Sequence, residues 1–178
     1  DKKQIYCTRS FGEKPTDIAP LLQAVSLYAN RAAEKLRQQQ HLALTIHVFI
    51  HTSPHQPNYY SNSTVVKLPY PTDDSRVIAT SAKQAVRSIY RPGHAYLKAG
   101  VGLIELTARK HQQQDIFQPP QSPRADELMK TLDGINHRYG RGTAFIAGEG
   151  VKKRWSMRQE HCSPHYTTNW NQLPIVSM

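Results

Sequence analysis

Leu42-Ala43-Leu44-Thr45-Ile46-His47-Val48-Phe49-Ile50 has a period of two from end to end. Leu42, Leu44, Ile46, Val48 and Ile50 point one way, while Ala43, Thr45, His47, Phe49 and His51 point the other. No other stretch of the chain reads as a strand so cleanly. Everything on either side can be placed relative to it.

Working back, Ile18, Leu21, Leu22, Val25, Tyr28, Ala32 and Leu36 recur every three or four residues, the apolar face of a helix of about five turns. Pro15-Thr16-Asp17 supplies capping chemistry, and Pro20 sits in the first turn, where its missing N–H costs little. Before the helix, Ile5, Cys7 and Phe11 mark a strand that Gly12 ends. Working forward, Thr52–Asn58 is too long for a tight hairpin, and Ser63–Leu68 reads as a third strand, antiparallel to the second. Thr72-Asp73-Asp74-Ser75 caps a second helix with Ile78, Ala82, Ala85 and Ile89 as its buried stripe, stopped by Arg91-Pro92-Gly93-His94. A last strand runs from Tyr96 to Leu106, with Leu97, Ala99, Val101 and Leu103 on one face.

The resulting order is strand, helix, strand, strand, helix, strand. This split βαβ (βαββαβ) arrangement is an α+β fold with both helices on one face of a four-stranded sheet. The other face stays open to a ligand. Thr8, Ser10, His47, Phe49, residues around Lys67, Tyr96 and Lys98 are expected on it.

Composition points at the ligand. Lys and Arg total 23 against 13 acids, a net charge of +10. Up to Gln118 there are 15 basic and 8 acidic residues, and beyond it 8 and 5, so the excess lies in the body. That balance favours a polyanionic partner. Cys7 and Cys162 make no disulfide framework, no signal peptide is visible, and no apolar run approaches the ~18 residues of a membrane span. The chain reads as cytosolic. It begins at Asp1 close to a strand, as a fragment of something larger would.

Three segments follow: a body over 1–110, a linker over 111–123 and an extension over 124–178. Within the linker, Gln113-Gln114-Asp115-Ile116-Phe117 precedes the proline-rich Gln118–Pro123. A polar run ending in Ile-Phe has no core to fill; such a peptide is disordered or docks its apolar pair on a partner. In the extension, Leu128, Leu132, Ile135 and Tyr139 form a helical stripe ended by Gly140. A short strand is expected over Thr143–Ala147. Trp155 and Met157 add apolar area without enough chain for a core, so the extension must lean on the body or order against a partner.

Chemical candidates are weak by comparison. The adjacent pair Asp73-Asp74 sits at a helix start, where acids oppose the dipole, and capping outweighs metal binding there. His47 and His51 lie on a strand about 13 Å apart, too far to share a metal with each other, and His55 follows in the turn. His161, Cys162 and His165 offer zinc or thiol chemistry without a second ligand cluster. Gly140-x-Gly142 and Gly148-x-Gly150 lack the lysine and spacing of a phosphate loop.

Several of these stretches together resemble a known family. Cys7–Gly12, Tyr28–Arg37, Asn62–Leu68, Pro71–Arg76 and Lys98–Val101 resemble, in order, the little-finger domain of Y-family translesion DNA polymerases. The resemblance is to the UmuC/MucB type, the catalytic subunit of bacterial DNA polymerase V. Gly140–Thr143, Trp155–Met157 and Ser163–Thr168 are similar to that subunit's C-terminal extension.

The resemblance implies that palm, fingers and thumb, with their Mg2+-binding carboxylates, precede Asp1, so this piece is non-catalytic and needs no cofactor itself. It implies a bacterial, nucleoid-associated component of SOS mutagenesis that grips damaged primer-template duplex. Position by position, the phosphate contacts would fall on Arg9, Ser10, Ser63, Thr64 and Lys98, with Lys67 a weaker addition. Leu97 departs from a basic residue frequent there. Gln113, Gln114, Asp115, Ile116 and Phe117 look like the bacterial sliding-clamp motif, departing from it with Gln114 and Ile116 in place of Leu. The extension would contact a UmuD′-like dimer and RecA. Two other readings stand beside this one. A free-standing ferredoxin-like binder of single-stranded nucleic acid would want two or three aromatics in the middle of the open face, with Phe49 and Tyr96 as candidates. A small metal enzyme would use His161, Cys162 and His165.

Overall fold

Four strands align in the order β1-β4-β2-β3, every neighbouring pair antiparallel, in the computed structural model of the chain. The structure describes residues 3–111, 122–157, 163–164, 166 and 169–173. The elements are β1 Ile5–Ser10, α1 Ile18–Gln38, β2 His41–Thr52, β3 Ser61–Thr72, α2 Ser75–Ile89, β4 Tyr96–Ala108 and α3 Pro123–Tyr139. This is the expected βαββαβ order, and α1 and α2 pack against each other and the sheet.

The helix-covered face holds the core. Leu21, Val25, Tyr28, Ala32 and Leu36 of α1 and Ile78, Ala82, Val86 and Ile89 of α2 close over Ile5, Cys7, Ile46, Val48, Ile50, Ala99, Val101 and Leu103. Asp74 caps α2 as expected, accepting from Arg76 N at 2.8 Å. Asp17 stands at the start of α1 but makes no side-chain cap bond.

Two register slips correct the face assignments. Against β3, pairing jumps from Ala43↔Thr72 to Thr45↔Lys67, so Leu68–Pro71 bulges out, where Pro69 and Pro71 have no N–H to give the ladder. On β4, opposite Leu44, Glu105 adopts φ +53. The period of two breaks there: Ala43 joins the core, Leu44 is half-exposed, and Leu42 is buried apart from the main cluster. The second slip runs from His51↔Lys98 to Thr52↔Tyr96, skipping Leu97. Tyr96 therefore turns into the core rather than onto the open face, and its hydroxyl donates to Arg91 O and accepts from Arg91 N, both at 2.9 Å.

The extension does lean on the body. Trp155 is buried edge-to-face between Phe11 (6.3 Å, 88°) and Tyr28 (6.1 Å, 87°), and its Nε1 donates to Gln23 Oε1 at 3.1 Å. Gly12 N donates to Trp155 O at 3.2 Å. At Gly150 (φ +74) a Cβ would stand 2.6 Å from Gln23 Cδ, so only glycine lets that glutamine reach the indole. Farther out, Arg37 makes a bidentate pair with Asp133 (2.6 and 2.7 Å) while also donating to Asp73 O and Ser75 Oγ. One guanidinium thus joins α1, the start of α2 and α3.

Two expectations about the extension fail in detail. Ala125 and Met129 form the buried stripe of α3; Leu132 and Ile135 are half-buried, while Leu128 and Tyr139 are exposed. Thr143–Ala147 is not a strand: Asn136 holds this stretch as a turn, its Oδ1 accepting from Gly142 N and Ala144 N at 3.1 Å, and a 3-10 turn follows at Ala147–Glu149. No described helix is long and apolar enough to cross a membrane.

Candidate nucleic-acid interface

Strand register lays the open face out as a grid. One row reads Ser10–Lys98–His51–Ser61, the next Thr8–Gly100–Phe49–Ser63, and the third Tyr6–Gly102–His47–Val65. No carboxylate occurs in these three rows. The first two collect hydroxyls from both edge strands around the Lys98 ammonium, a composition that contacts phosphates without reading sequence.

Of the residues expected to contact phosphate, Ser10, Ser63 and Lys98 share this face. Lys67, exposed beside Thr45, extends it by one row towards Glu105, whose carboxylate accepts from Thr45 Oγ1. Arg9 and Thr64 do not join them. They pair with the core-facing Ala99 and Val48, so by the alternation of a strand they project from the helix side at the two sheet edges.

Arg9 instead belongs to a cleft that periodicity did not reveal. It lies with Arg31 and Lys35 of α1 and Arg141 of the extension, around the Cys7 thiol. Burial pushes that thiol's pKa up, and the four cations pull the other way. Arg141 also reaches Glu34 at 3.7 Å. The cluster joins residues far apart in sequence, so only their shared basic character could have flagged it.

Of the carboxylate pair, Asp74 is the residue whose side chain caps α2. Asp74 takes Arg76 in an ion pair at 2.7 Å, and Asp73 lies 3.6 Å from Arg109, which also binds Asp126 at 2.7 Å. Among the described residues no group of three metal-ligating side chains converges. His161, Cys162 and His165 lie outside the described residues, as do Gln113, Gln114, Asp115, Ile116 and Phe117.

Residues 2–116 match the impB/mucB/samB family C-terminal domain, and residues 126–176 match a domain of unknown function, DUF4113. Protein UmuC of Salmonella typhimurium strain LT2 is 43% identical over 176 residues, covering 97% of this chain and 42% of that protein. Protein ImpB of Salmonella typhimurium is 42% identical over 180 residues, covering 99% and 42%; Protein MucB of Escherichia coli is 41% identical over 180 residues with the same coverage. The chain thus spans about two-fifths of the length of these relatives. Among solved structures, an insertion ternary complex of Dbh DNA polymerase aligns at TM-score 0.47 and 13% identity, over 57% of this chain and 28% of that one. A complex of the beta-clamp processivity factor with the little finger domain of PolIV aligns at TM-score 0.45 and 9% identity, over 64% and 98%.

Proposed function

The chain belongs to the impB/mucB/samB family, and on that premise we propose that it is the DNA-gripping, clamp-tethering C-terminal region of a translesion DNA polymerase of the SOS response. The observation that carries the DNA half is the grid: Ser10, Ser63 and Lys98 share an open face with no acid in the three rows from Lys98 to Gly102. Backbone phosphates of primer-template duplex are the ligand, since hydroxyls and an ammonium spread over a flat sheet hold phosphates and read no base. Arg9, with Arg31, Lys35 and Arg141, carries the basic surface round the edge of β1. At the β3 edge Thr64 offers a neutral hydroxyl to a phosphate.

The chemical step belongs to the parent polymerase, whose Mg2+-binding carboxylates lie outside this region. Ile116 and Phe117 insert in a sliding-clamp pocket, with Gln113, Gln114 and Asp115 as their polar lead. Gln114 in place of an apolar residue makes this a weak tether. The extension serves contacts with a UmuD′-like dimer and RecA.

A salt titration tests the grip. The affinity for duplex should fall with a log–log slope of about −0.9 for each phosphate neutralised. Lys98→Ala should reduce that slope by about one for unrelated sequences alike. An affinity independent of salt would sink the phosphate grip. Capture by the sliding clamp tests the tether: the Ile116→Ala/Phe117→Ala variant should lose it, and undiminished capture would remove that assignment.

A further inference from the structure

The middle of the open face is not polar. Phe49 leans across β4 so far that a Cβ at Gly100 would run into its ring carbons and into Thr8; Tyr6 leans onto Gly102 in the same way. Glycine at both positions makes a floor on which the rings lie. His47 joins them, its ring centroid 5.9 Å from Tyr6 and edge-on to it at 70°, and 5.9 Å from Phe49 at a tilt of 32°, with Tyr6 Oη 3.3 Å from its Nδ1. His51 extends the row, 6.3 Å from Phe49 with the ring planes within 8°. Four rings from β1 and β2 form one continuous strip. Tyr6 is 42% exposed, and Val65 at the strip's border is 59% exposed.

A phosphate grip has no use for this strip. Duplex DNA offers a protein sheet its phosphates and base edges, while its ring faces are covered by neighbouring bases. Ring faces become available where bases are unpaired and pulled apart. The row fits that state: its centroids are spaced 5.9–6.3 Å, nearly twice the rise of about 3.4 Å per nucleotide in a stacked strand. Lys98, Ser10, Ser61 and Ser63 border the strip on three strands, within reach of a backbone whose bases lie on the rings. Glu105, beyond the strip on this side, is held by Thr45. We propose that the open face also binds unpaired, single-stranded nucleic acid, stacking splayed bases on Tyr6, His47, Phe49 and His51. This rests on the reading of the face as a nucleic-acid surface and adds a second substrate class to it.

The test uses the 178-residue chain with three labelled probes at one salt concentration: oligothymidylate, an abasic strand of equal length, and a duplex. Anisotropy should show the wild type binding the thymidylate strand more tightly than the abasic one. Phe49→Leu should weaken thymidylate binding about five- to 150-fold, the range for loss of one stacked base, with abasic and duplex binding unchanged. Gly100→Ala, which displaces the Phe49 ring, should act in the same direction, and Phe49→Tyr should retain the preference. If Phe49→Leu does not fold, as judged by circular dichroism, Tyr6→Leu on the edge strand serves in its place. Equal wild-type affinity for the thymidylate and abasic strands would overturn the proposal, as would a parallel loss on all three probes. Absence of duplex binding with the thymidylate preference intact would instead sink the duplex grip and leave the stacking strip standing.

Discussion

The body and the extension are held by different physics. In the body, two amphipathic helices close over one face of a sheet, and apolar side chains from six elements share a single dry core. Burial is distributed, so the loss of any one methyl is survivable. The extension has no such reserve. Among the described residues its purchase is one indole inserted between Phe11 and Tyr28, the small buried pair Ala125 and Met129, ion pairs at Arg37–Asp133, Arg109–Asp126 and Arg141–Glu34, and the Glu149 carboxylate, which accepts from Asn30 of the body. A segment with few apolar contacts depends on the surface it docks to, whereas the body's own core does not depend on the segment, Trp155 apart.

That asymmetry can be broken experimentally. Trp155→Ala should be the most damaging single change, costing about 3–5 kcal/mol by the usual range for a buried aromatic. Hydrogen exchange should show protection falling over the described extension residues 122–157 while the amides of β2 and β4 stay protected. Equal loss in both would mean that body and extension are one cooperative unit.

Arg37→Ala should come next, at about 1.5–3 kcal/mol, the worth of hydrogen bonds to charged groups. It removes the ion pair to α3 together with two bonds to the start of α2, so denaturant unfolding should show a lower midpoint. Asp133→Asn, which spares the α2 bonds, should cost less, and the difference between the two separates docking of α3 from support of α2.

Tyr28 sharpens the comparison because it belongs to the body's core yet carries the extension's indole. Burial foremost, and then the neighbouring Cys7 thiol, push its phenol pKa up to about 12. In the unfolded chain a tyrosine ionises near about 10. Stability from this group is therefore complete below pH 10 and is lost as pH rises from 10 through 12, because only the unfolded state then releases the proton. Tyr28→Phe should flatten that alkaline decline; Tyr96, also raised by burial, leaves a remainder. A decline identical to wild type would show that the phenol is not dry. Smallest of all, Lys98→Ala on the open face should change stability by no more than about 0.5 kcal/mol, its effect confined to the salt slope of DNA binding.

Much of the body was legible in advance. The helical stripes of α1 and α2 and the Asp74 cap stand where periodicity puts them. So does the face of β2 from Ile46 to Ile50. What failed has a common cause. Continuing a local period misplaces Tyr96, Leu44 and the stripe of α3, because a bulge or a tertiary contact overrides it there. Leu97 is skipped in the pairing, Leu68–Pro71 bulges out, and α3 turns Ala125 and Met129 inward and pairs Asp133 with Arg37, leaving Leu128 exposed. Of the residues expected to contact phosphate, Ser10, Ser63 and Lys98 share the open face, while Arg9 and Thr64 fall on the other side of the sheet because alternate residues of a strand must.

By itself the sequence determined the element order, the fold class, the basic character of the body and, through its motifs, the family to which the chain belongs. These depend on local period and composition, which need no knowledge of neighbours. Only the tertiary structure decided that Trp155 completes the body's core, that Arg141 joins Arg31 and Lys35 beside Arg9, and that two glycines of β4 seat the rings of Phe49 and Tyr6. Each of those facts joins residues from separate elements, and a period along the chain has no term for a contact across it.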